Sequence, residues 1–206
     1  ALALPPEARY LRWCAIFDAT RKAALYRPAF AASLQGAATA LGVFHAEYAK
    51  CEGRGDFVGR TMFVDLMRYL PGDLLTKVDV ASMAHGLETR SPFLDHKVVE
   101  FACRMPTDLK LRRLSGKHIL KRAFRDLVPE PVRRRPKMGF GVPIADWFRG
   151  ELHDYVRDVL LDKRTLERGY FRREAVAGLI DEHAEGRFDH GYRLWSLLML
   201  ELWHRE

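Results

Sequence analysis

Cysteine is scarce in this 206-residue sequence, and the three that occur, Cys14, Cys51 and Cys103, form no Cys-x-x-Cys pair. An odd number of widely spaced cysteines argues against a disulfide framework, so we expect each thiol to pack as a small apolar group within a helix. The eight histidines show no His-x-x-x-His spacing and no grouping with cysteine. Metal sites need such groupings. We therefore expect a cytoplasmic chain without a metal site of its own.

Long apolar runs and alternating strand patterns are also missing. No run reaches the length of a membrane span, and the apolar start of the chain is too short for a secretory signal. No segment alternates apolar and polar residues over a useful length, and no glycine-rich phosphate loop follows a strand. The sequence therefore predicts a mostly helical chain that does not enter a membrane. Because no repeat or linker divides it, we expect residues 1–206 to form one unit.

Positive charge is in excess, with 34 Lys and Arg against 27 Asp and Glu, a net charge of +7. Such a balance favours polyanionic partners. The cations are spread along the chain, however, and aromatic residues do not alternate with them as a base-stacking surface would require. The pattern argues against nucleic acid and is better suited to a nucleotide triphosphate and pyrophosphate.

Helical periodicity covers most of the chain. Tyr10, Trp13, Cys14 and Phe17 form an apolar stripe that predicts a buried helix face. Asp56 is a suitable N-cap for a helix through Tyr69, and the following Pro71 and Gly72 are expected to end that helix. Further on, residues 192–203 are apolar nearly all round, which predicts a helix buried between neighbours.

The most informative stretch is Lys77–His96. A helix is expected to run to about Ala84, and Gly86 can take the left-handed conformation that ends it. Pro92 favours an extended backbone before it, and Asp95 is a good N-cap for the next helix. Glu88 and Arg90 are left on a short connector, two residues apart, where extended geometry points both side chains the same way. They form either a structural ion pair or the wall of a polar site.

A second stretch, Arg133–Pro143, sets four cations beside two glycines and two prolines. Glycine lets a backbone approach a ligand closely, proline stiffens the loop, and cations there suit an anion with several phosphate oxygens. The alternative is a solvated basic turn.

Together these stretches resemble the C-terminal part of the synthetase domain of asparagine synthetases, which are glutamine-hydrolysing, ATP-dependent, amide-forming enzymes. Order and spacing follow that family over roughly residues 56–204. The motifs that carry the resemblance are Tyr69-Leu70-Pro71, Lys77-Val78-Asp79, Ala81-Ser82-Met83-Ala84, Leu87-Glu88, Arg90, Pro92-Phe93-Leu94-Asp95-His96, Gly116-Lys117, Leu120-Lys121, Arg135-Pro136-Lys137, Gly139-Phe140 and Trp147.

The resemblance implies a mostly α structure, the helical C-terminal portion of an adenine-nucleotide-hydrolase-like α/β (ATP-pyrophosphatase) synthetase domain. The family's Ser-Gly-Gly-x-Asp-Ser phosphate loop does not occur in this sequence, and Ala1 is not the nucleophilic cysteine of a glutaminase domain. Residues 1–206 are therefore expected to be the C-terminal part of the synthetase domain. The N-terminal remainder of that domain and a glutaminase domain are its implied partners, and a homodimer is left open.

The resemblance also implies a reaction and its residues. Aspartate, ATP and ammonia from glutamine give asparagine, AMP and pyrophosphate, with Mg²⁺ bound mainly by the missing part of the domain. Glu88 matches the family's acid for amide formation, and Lys137 matches the lysine that neutralises phosphate. Five residues match supporting positions for substrate or ATP: Asp79, Arg90, Asp95, Lys77 and Lys117.

Two other functions remain open. A relative that shares this scaffold could act on another substrate, as a peptide macrocyclase or another asparagine-synthetase-like amidotransferase does. The third reading is a non-catalytic helical interaction module that uses its basic face.

Overall fold

The structure is a computed structural model that describes residues 3–53, 55–136, 138–139 and 141–206. In these ranges the chain is mostly helical, as predicted, and its strands β1 (Leu111–Arg112) and β2 (Ser115–Gly116) pair antiparallel in a small hairpin. A π-helical segment covers Asp65–Leu75, and a 3₁₀ turn covers Pro92–Leu94. The α-helices are α1 (Pro6–Cys14), α2 (Ala19–Leu25), α3 (Pro28–Ser33), α4 (Ala40–Ala49), α5 (Phe57–Val64), α6 (Thr76–Met83), α7 (His96–Arg104), α8 (Thr107–Lys110), α9 (His118–Ala123), α10 (Glu130–Arg134), α11 (Ile144–Arg149), α12 (His153–Leu161), α13 (Lys163–Glu167), α14 (Arg173–Ala184) and α15 (Gly191–Arg205).

The chain divides into two compact units. Unit 1 comprises Ala1–Leu11 and Thr39–Met138, and unit 2 comprises Arg12–Ala38 and Gly139–Glu206. The assignment of residues 1–206 to one part of a synthetase domain stays a prediction. None of the helices in the described ranges combines the length and the apolar character that a membrane span requires.

Unit 2 contains the main hydrophobic core, which α12, α14 and α15 enclose together with α11. α15 begins and ends close to the predicted bounds but buries only one face, so the expectation of burial all round is wrong. Trp203 on its other face is 71% exposed. The buried core residues are Leu25, Ile144, Phe148, Val156, Val159, Leu160, Val176, Ile180, Leu194, Leu197 and Leu198.

A buried carboxylate ties the end of α15 to its neighbours. Glu201 is almost fully buried, and it accepts a hydrogen bond from Arg168 Nε at 2.6 Å and from Arg205 Nε at 2.8 Å. Arg205 also pairs with Asp162 at 3.0 Å. Burial acts to raise the pKa of Glu201, but the hydrogen bonds from Arg168 and Arg205 outweigh it, so this pKa is lowered. Glu201 is therefore held ionised among its arginines.

Replacing Glu201 with glutamine should destabilise unit 2 by about 2 kcal/mol, because two buried charge-assisted hydrogen bonds are weakened. Because the pKa of Glu201 is lowered, its contribution to the free energy of unfolding should be present above the ordinary glutamate pKa of about 4.3. That contribution should be lost as the pH falls below this value. All four tryptophans belong to unit 2, so urea unfolding of this chain followed by tryptophan fluorescence measures that unit. Glu185→Gln, at an exposed pair with Arg187, is the control and should change stability by less than about 0.5 kcal/mol. Equal losses in both variants would contradict the prediction.

In unit 1, the helical path runs from α5 to α6 through the π-helical segment. Asp56 caps α5 as predicted, accepting from Gly59 N at 2.8 Å. The expectation that Pro71 and Gly72 end the helix is wrong, because the chain continues helically to Met83. In α-helical geometry the proline ring would clash with the carbonyl group one turn earlier, and the wider π-helical turns relieve that clash. Thr76 Oγ1 donates to Pro71 O at 2.7 Å, which fixes the junction with α6.

A buried carboxylate, Glu47, anchors the π-helical segment to α4. Arg68 Nε donates to Glu47 Oε1 at 2.8 Å, and Lys50 Nζ donates to Glu47 Oε2 at 2.7 Å. The hydrogen bond from Lys50 and that from Arg68 lower the pKa of Glu47. The segment is thereby held in a fixed position within unit 1.

Several side chains predicted to be core are exposed. Trp13 of the first apolar stripe is 65% exposed, and Cys14 and Cys103 lie at the surface, so these core predictions are wrong. In unit 1 the buried hydrophobic residues of the described chain are Tyr48 and Val64. A helical stripe predicts an apolar face but does not identify what covers it.

Candidate active site

The connector at the centre of the candidate site begins with a tight helix end. Gly86 has φ +67°, Gly86 N donates to Met83 O, and Leu87 N donates to Ser82 O, both at 3.0 Å. This pair of bonds is the Schellman motif, in which a glycine takes the left-handed conformation and the last helical carbonyls are satisfied. The predicted end of α6 is confirmed.

Replacing Gly86 with alanine should cost about 1–2 kcal/mol, because the left-handed conformation is unfavourable for a residue with a Cβ. No described atom lies within 4 Å of the position that the Cβ would take, so the cost is that of the backbone alone. Hydrogen-exchange mass spectrometry should show faster exchange of amides 84–96. Gly178→Ala, inside α14 and equally free of neighbours, is the matched control and should leave exchange in its helix unchanged or slower. Unchanged exchange in Gly86→Ala would contradict the prediction.

The other end of the connector is fixed by a proline turn and a cap. Ser91 is extended, with φ −99° and ψ 115°, as Pro92 predicts. The carboxylate of Asp95 accepts from Lys97 N at 2.9 Å and caps α7. The N-cap prediction is confirmed, and this contact supplies a structural reason for Asp95.

Glu88 and Arg90 point to the same side of the connector, as extended geometry predicts. Arg90 Nε and Nη2 each lie 2.8 Å from Glu88 Oε1. The side chain of Glu88 is 68% exposed and that of Arg90 is 85% exposed. An ion pair this exposed contributes little to stability. Stabilising the connector is therefore a weak explanation for the Glu88–Arg90 pair.

A hollow of about 670 Å³ lies beside this pair, within unit 1. Its volume is in the range of pockets that hold small molecules. Arg90 lines it directly, whereas Glu88 is connected to it through Arg90. The polar residues of its wall are Thr76, Asp79, Thr89, Arg90 and Ser91, and the apolar ones are Leu70, Pro71, Leu74, Leu75, Val78 and Leu94.

The remaining sequence-predicted residues fall into two groups. Lys77 and Lys117 are exposed, and neither lines this hollow in the described part of the chain; Lys117 precedes α9 with φ +58°. Lys137 lies outside the described residues. The structure thus brings together Asp79, Arg90 and Glu88, and the meeting of Glu88 with Lys137 stays a prediction.

Sequence reasoning missed the hydroxyls of Thr89 and Ser91, which line the hollow. Their positions on either side of Arg90 were the available signal. Sequence reasoning also missed the apolar wall that the π-helical segment contributes. Pro71 predicts a helix end, so nothing in the sequence indicates that the helix continues there. Among the described residues, no group of three or more His, Cys, Asp or Glu side chains could hold a metal ion.

Comparison with known proteins shows the family of this chain. The sequence model of the asparagine synthase family matches residues 4–205. The chain belongs to the asparagine synthase family. The resemblance inferred from its motifs is confirmed, and the connector with its hollow is therefore a feature of an asparagine synthase family chain.

Relatives with asparagine synthetase names occur in bacteria and in vertebrates. An asparagine synthetase [glutamine-hydrolyzing] 1 of Bacillus subtilis is 33% identical over 147 residues, which is 71% of this chain and 23% of that protein. A Mycobacterium bovis protein provisionally named as an asparagine synthetase [glutamine-hydrolyzing] is 41% identical over 159 residues, 76% of this chain and 24% of that protein. The Gallus gallus asparagine synthetase [glutamine-hydrolyzing] is 33% identical over 132 residues, 54% of this chain and 22% of that protein. The chain thus spans about a quarter of the length of these curated relatives. No solved structure matches it significantly.

Proposed function

We propose that this chain supplies part of the synthetase site of an ATP-dependent, amide-forming ligase that makes asparagine from aspartate. The observation that carries the proposal is the Glu88–Arg90 pair on a connector fixed at both ends, beside a hollow of nucleotide size. Membership of the asparagine synthase family supports it. The apolar wall suits a base or ribose face, and Arg90 suits a carboxylate or phosphate.

In the first step of the proposed reaction, an oxygen of the aspartate side-chain carboxylate attacks the α-phosphorus of ATP. The bond from that phosphorus to the bridging oxygen breaks, and pyrophosphate leaves. Negative charge grows on the departing pyrophosphate, so a cation gains its largest interaction in the transition state. Lys137 is proposed for this role, and Arg90 is proposed to orient the carboxylate.

In the second step, ammonia attacks the acyl carbon and AMP leaves with the electrons of the broken carbon–oxygen bond. The attacking nitrogen must lose a proton as the amide forms. Glu88 is proposed to accept it, and the hydrogen bond from Arg90 holds the carboxylate in place. Asp79 is proposed to frame the hollow, with Lys77, Asp95 and Lys117 in support.

Further partners are proposed on the same basis. Unit 1 has many large apolar side chains at its surface, including Phe93 and Phe101 at about two-thirds exposure. Large apolar patches are typical of interfaces. The N-terminal remainder of a synthetase domain is proposed to cover such side chains and to carry most ligands of the Mg²⁺ that accompanies ATP. A glutaminase domain is proposed as the source of ammonia.

The test is a product assay on the natural protein that carries this sequence. Aspartate, glutamine and ATP should give asparagine, AMP and pyrophosphate in equal amounts, measured by mass spectrometry and a coupled pyrophosphate assay. If another carboxylate replaces aspartate in pyrophosphate release, the ligase chemistry holds and the substrate is corrected. Absence of pyrophosphate release with aspartate and with a panel of other carboxylates would overturn the proposal.

A further inference from the structure

A second hollow in unit 1 is lined almost entirely by cations. It has a volume of about 570 Å³ and lies between α9 and α10, with β2 at its edge. Its basic lining residues are His118, Lys121, Arg122, Arg125, Arg133 and Arg134. No carboxylate and no Phe, Tyr or Trp ring lines it among the described residues. Arg133 and Arg134 belong to the same basic stretch as Lys137, but the proposed ligase chemistry gives no role to any residue that lines this hollow.

The charges in this basic hollow are only partly compensated. Arg134 pairs with Glu130 at 2.6 Å and Arg125 lies 3.4 Å from Asp126, and both pairs are exposed. Lys121 Nζ donates to Ser115 Oγ at 3.3 Å, which leaves its charge unpaired. Arg122 and Arg133 form no ion pair with any described residue. Several cations therefore share one concave surface and repel one another.

Arg133 also has a hydrogen-bond donor that lacks an acceptor in the described part of the chain. Its Nε is shielded from solvent and has no hydrogen-bond partner among the described residues. A shielded donor without an acceptor costs free energy, and no described residue offsets that cost for Arg133. The guanidinium fork matches phosphate oxygens in a two-point geometry that a lysine cannot reproduce.

We propose that the basic hollow binds a short chain of phosphate groups, such as inorganic tripolyphosphate or the phosphate end of a nucleotide. Cations spaced around a concavity favour an anion with charge on several linked groups over a single sulfate or carboxylate. Nucleic acid is disfavoured because a strand needs several stacking rings or an extended track of cations, and His118 is the only ring among the described lining residues. The proposal rests on unit 1 alone and does not depend on the ligase activity.

The test uses isothermal titration of the natural protein with tripolyphosphate, pyrophosphate and orthophosphate at about 0.1 M salt, where the Debye length is about 10 Å. Affinity should rise with the number of phosphates. Arg122→Gln with Arg133→Gln should weaken tripolyphosphate binding roughly tenfold or more, because two charge-assisted contacts are lost. Arg104→Gln with Arg164→Gln removes the same net charge from residues that do not line the hollow and should weaken binding less than about threefold, since salt screens charges that make no contact with the ligand.

Further measurements separate phosphate binding by the basic hollow from misfolding and from binding at the proposed ligase site. Because all four arginines are exposed or half-buried, unchanged thermal unfolding of both double variants will show that folding is intact. Retention of tripolyphosphate binding by Lys137→Ala separates this hollow from the proposed ligase site. Equal weakening in the two double variants, no preference for longer phosphates, or tighter arginine-dependent binding of a DNA duplex would overturn the inference. ATP that competes with tripolyphosphate will identify a nucleotide as the occupant, and ATP that fails to compete will identify the inorganic anion.

Discussion

Replacing Glu88 with glutamine is expected to lower amide formation about a hundredfold while leaving adenylation nearly unchanged. A positioned general base contributes roughly 10²–10⁴-fold. Glutamine keeps an oxygen that can accept the hydrogen bond from Arg90, so the geometry of the pair is preserved and only the proton acceptor is lost. The measurement is the rate of asparagine formation set against aspartate-dependent exchange of labelled pyrophosphate into ATP, both in the natural protein.

The matched control for this variant is Glu185→Gln. Glu185 and Arg187 form an exposed pair with the same two-residue spacing as Glu88 and Arg90, but outside the candidate site. Its amide formation should match that of the unaltered protein. Normal turnover in Glu88→Gln would remove Glu88 from the site and leave the structural ion pair as its role.

Replacing Lys137 with alanine is expected to lower adenylation about a hundredfold, equivalent to about 2.7 kcal/mol of transition-state stabilisation. The lysine is proposed to gain its strongest interaction as charge develops on the departing pyrophosphate. Pyrophosphate exchange should therefore fall together with overall asparagine formation. This pattern differs from that of Glu88→Gln, in which exchange survives.

Lys163→Ala provides the comparison for the lysine variant. Lys163 is exposed and lies 3.7 Å from Glu167, so its loss removes one surface charge without touching the candidate site. Exchange should remain within about twofold of normal, since Lys163 does not line the hollow beside Arg90 and salt screens an exposed charge. If Lys137→Ala exchanges pyrophosphate as fast as Lys163→Ala does, the solvated-loop reading of Arg133–Pro143 is favoured.

The parts of the fold that sequence predicts well are governed by local chemistry. Gly86, Pro92 and Asp95 each act on the backbone within a few residues, and all three behave as predicted. The direction of Glu88 and Arg90 follows from the same local geometry. Family motifs predict the wider assignment, because their order and spacing are specific.

The parts that sequence predicts poorly depend on what surrounds a segment. Pro71 predicts a helix end from its own chemistry, yet the π-helical turns and the anchor between Arg68 and Glu47 carry the helix past it. Trp13 belongs to an apolar stripe, but periodicity does not specify the partner that would cover it. The hollow beside Arg90 combines three segments, and the sequence alone does not determine how they pack.

The π-helical segment also fixes the direction in which α6 and the connector leave α5. Each residue of an α-helix turns the chain by about 100° and advances it by 1.5 Å. Deleting one residue between α5 and α6 would rotate the connector by about that angle around the helix axis. The number of residues in this segment therefore determines the direction in which Arg90 points. Deletions within the segment should be tolerated far less well than substitutions.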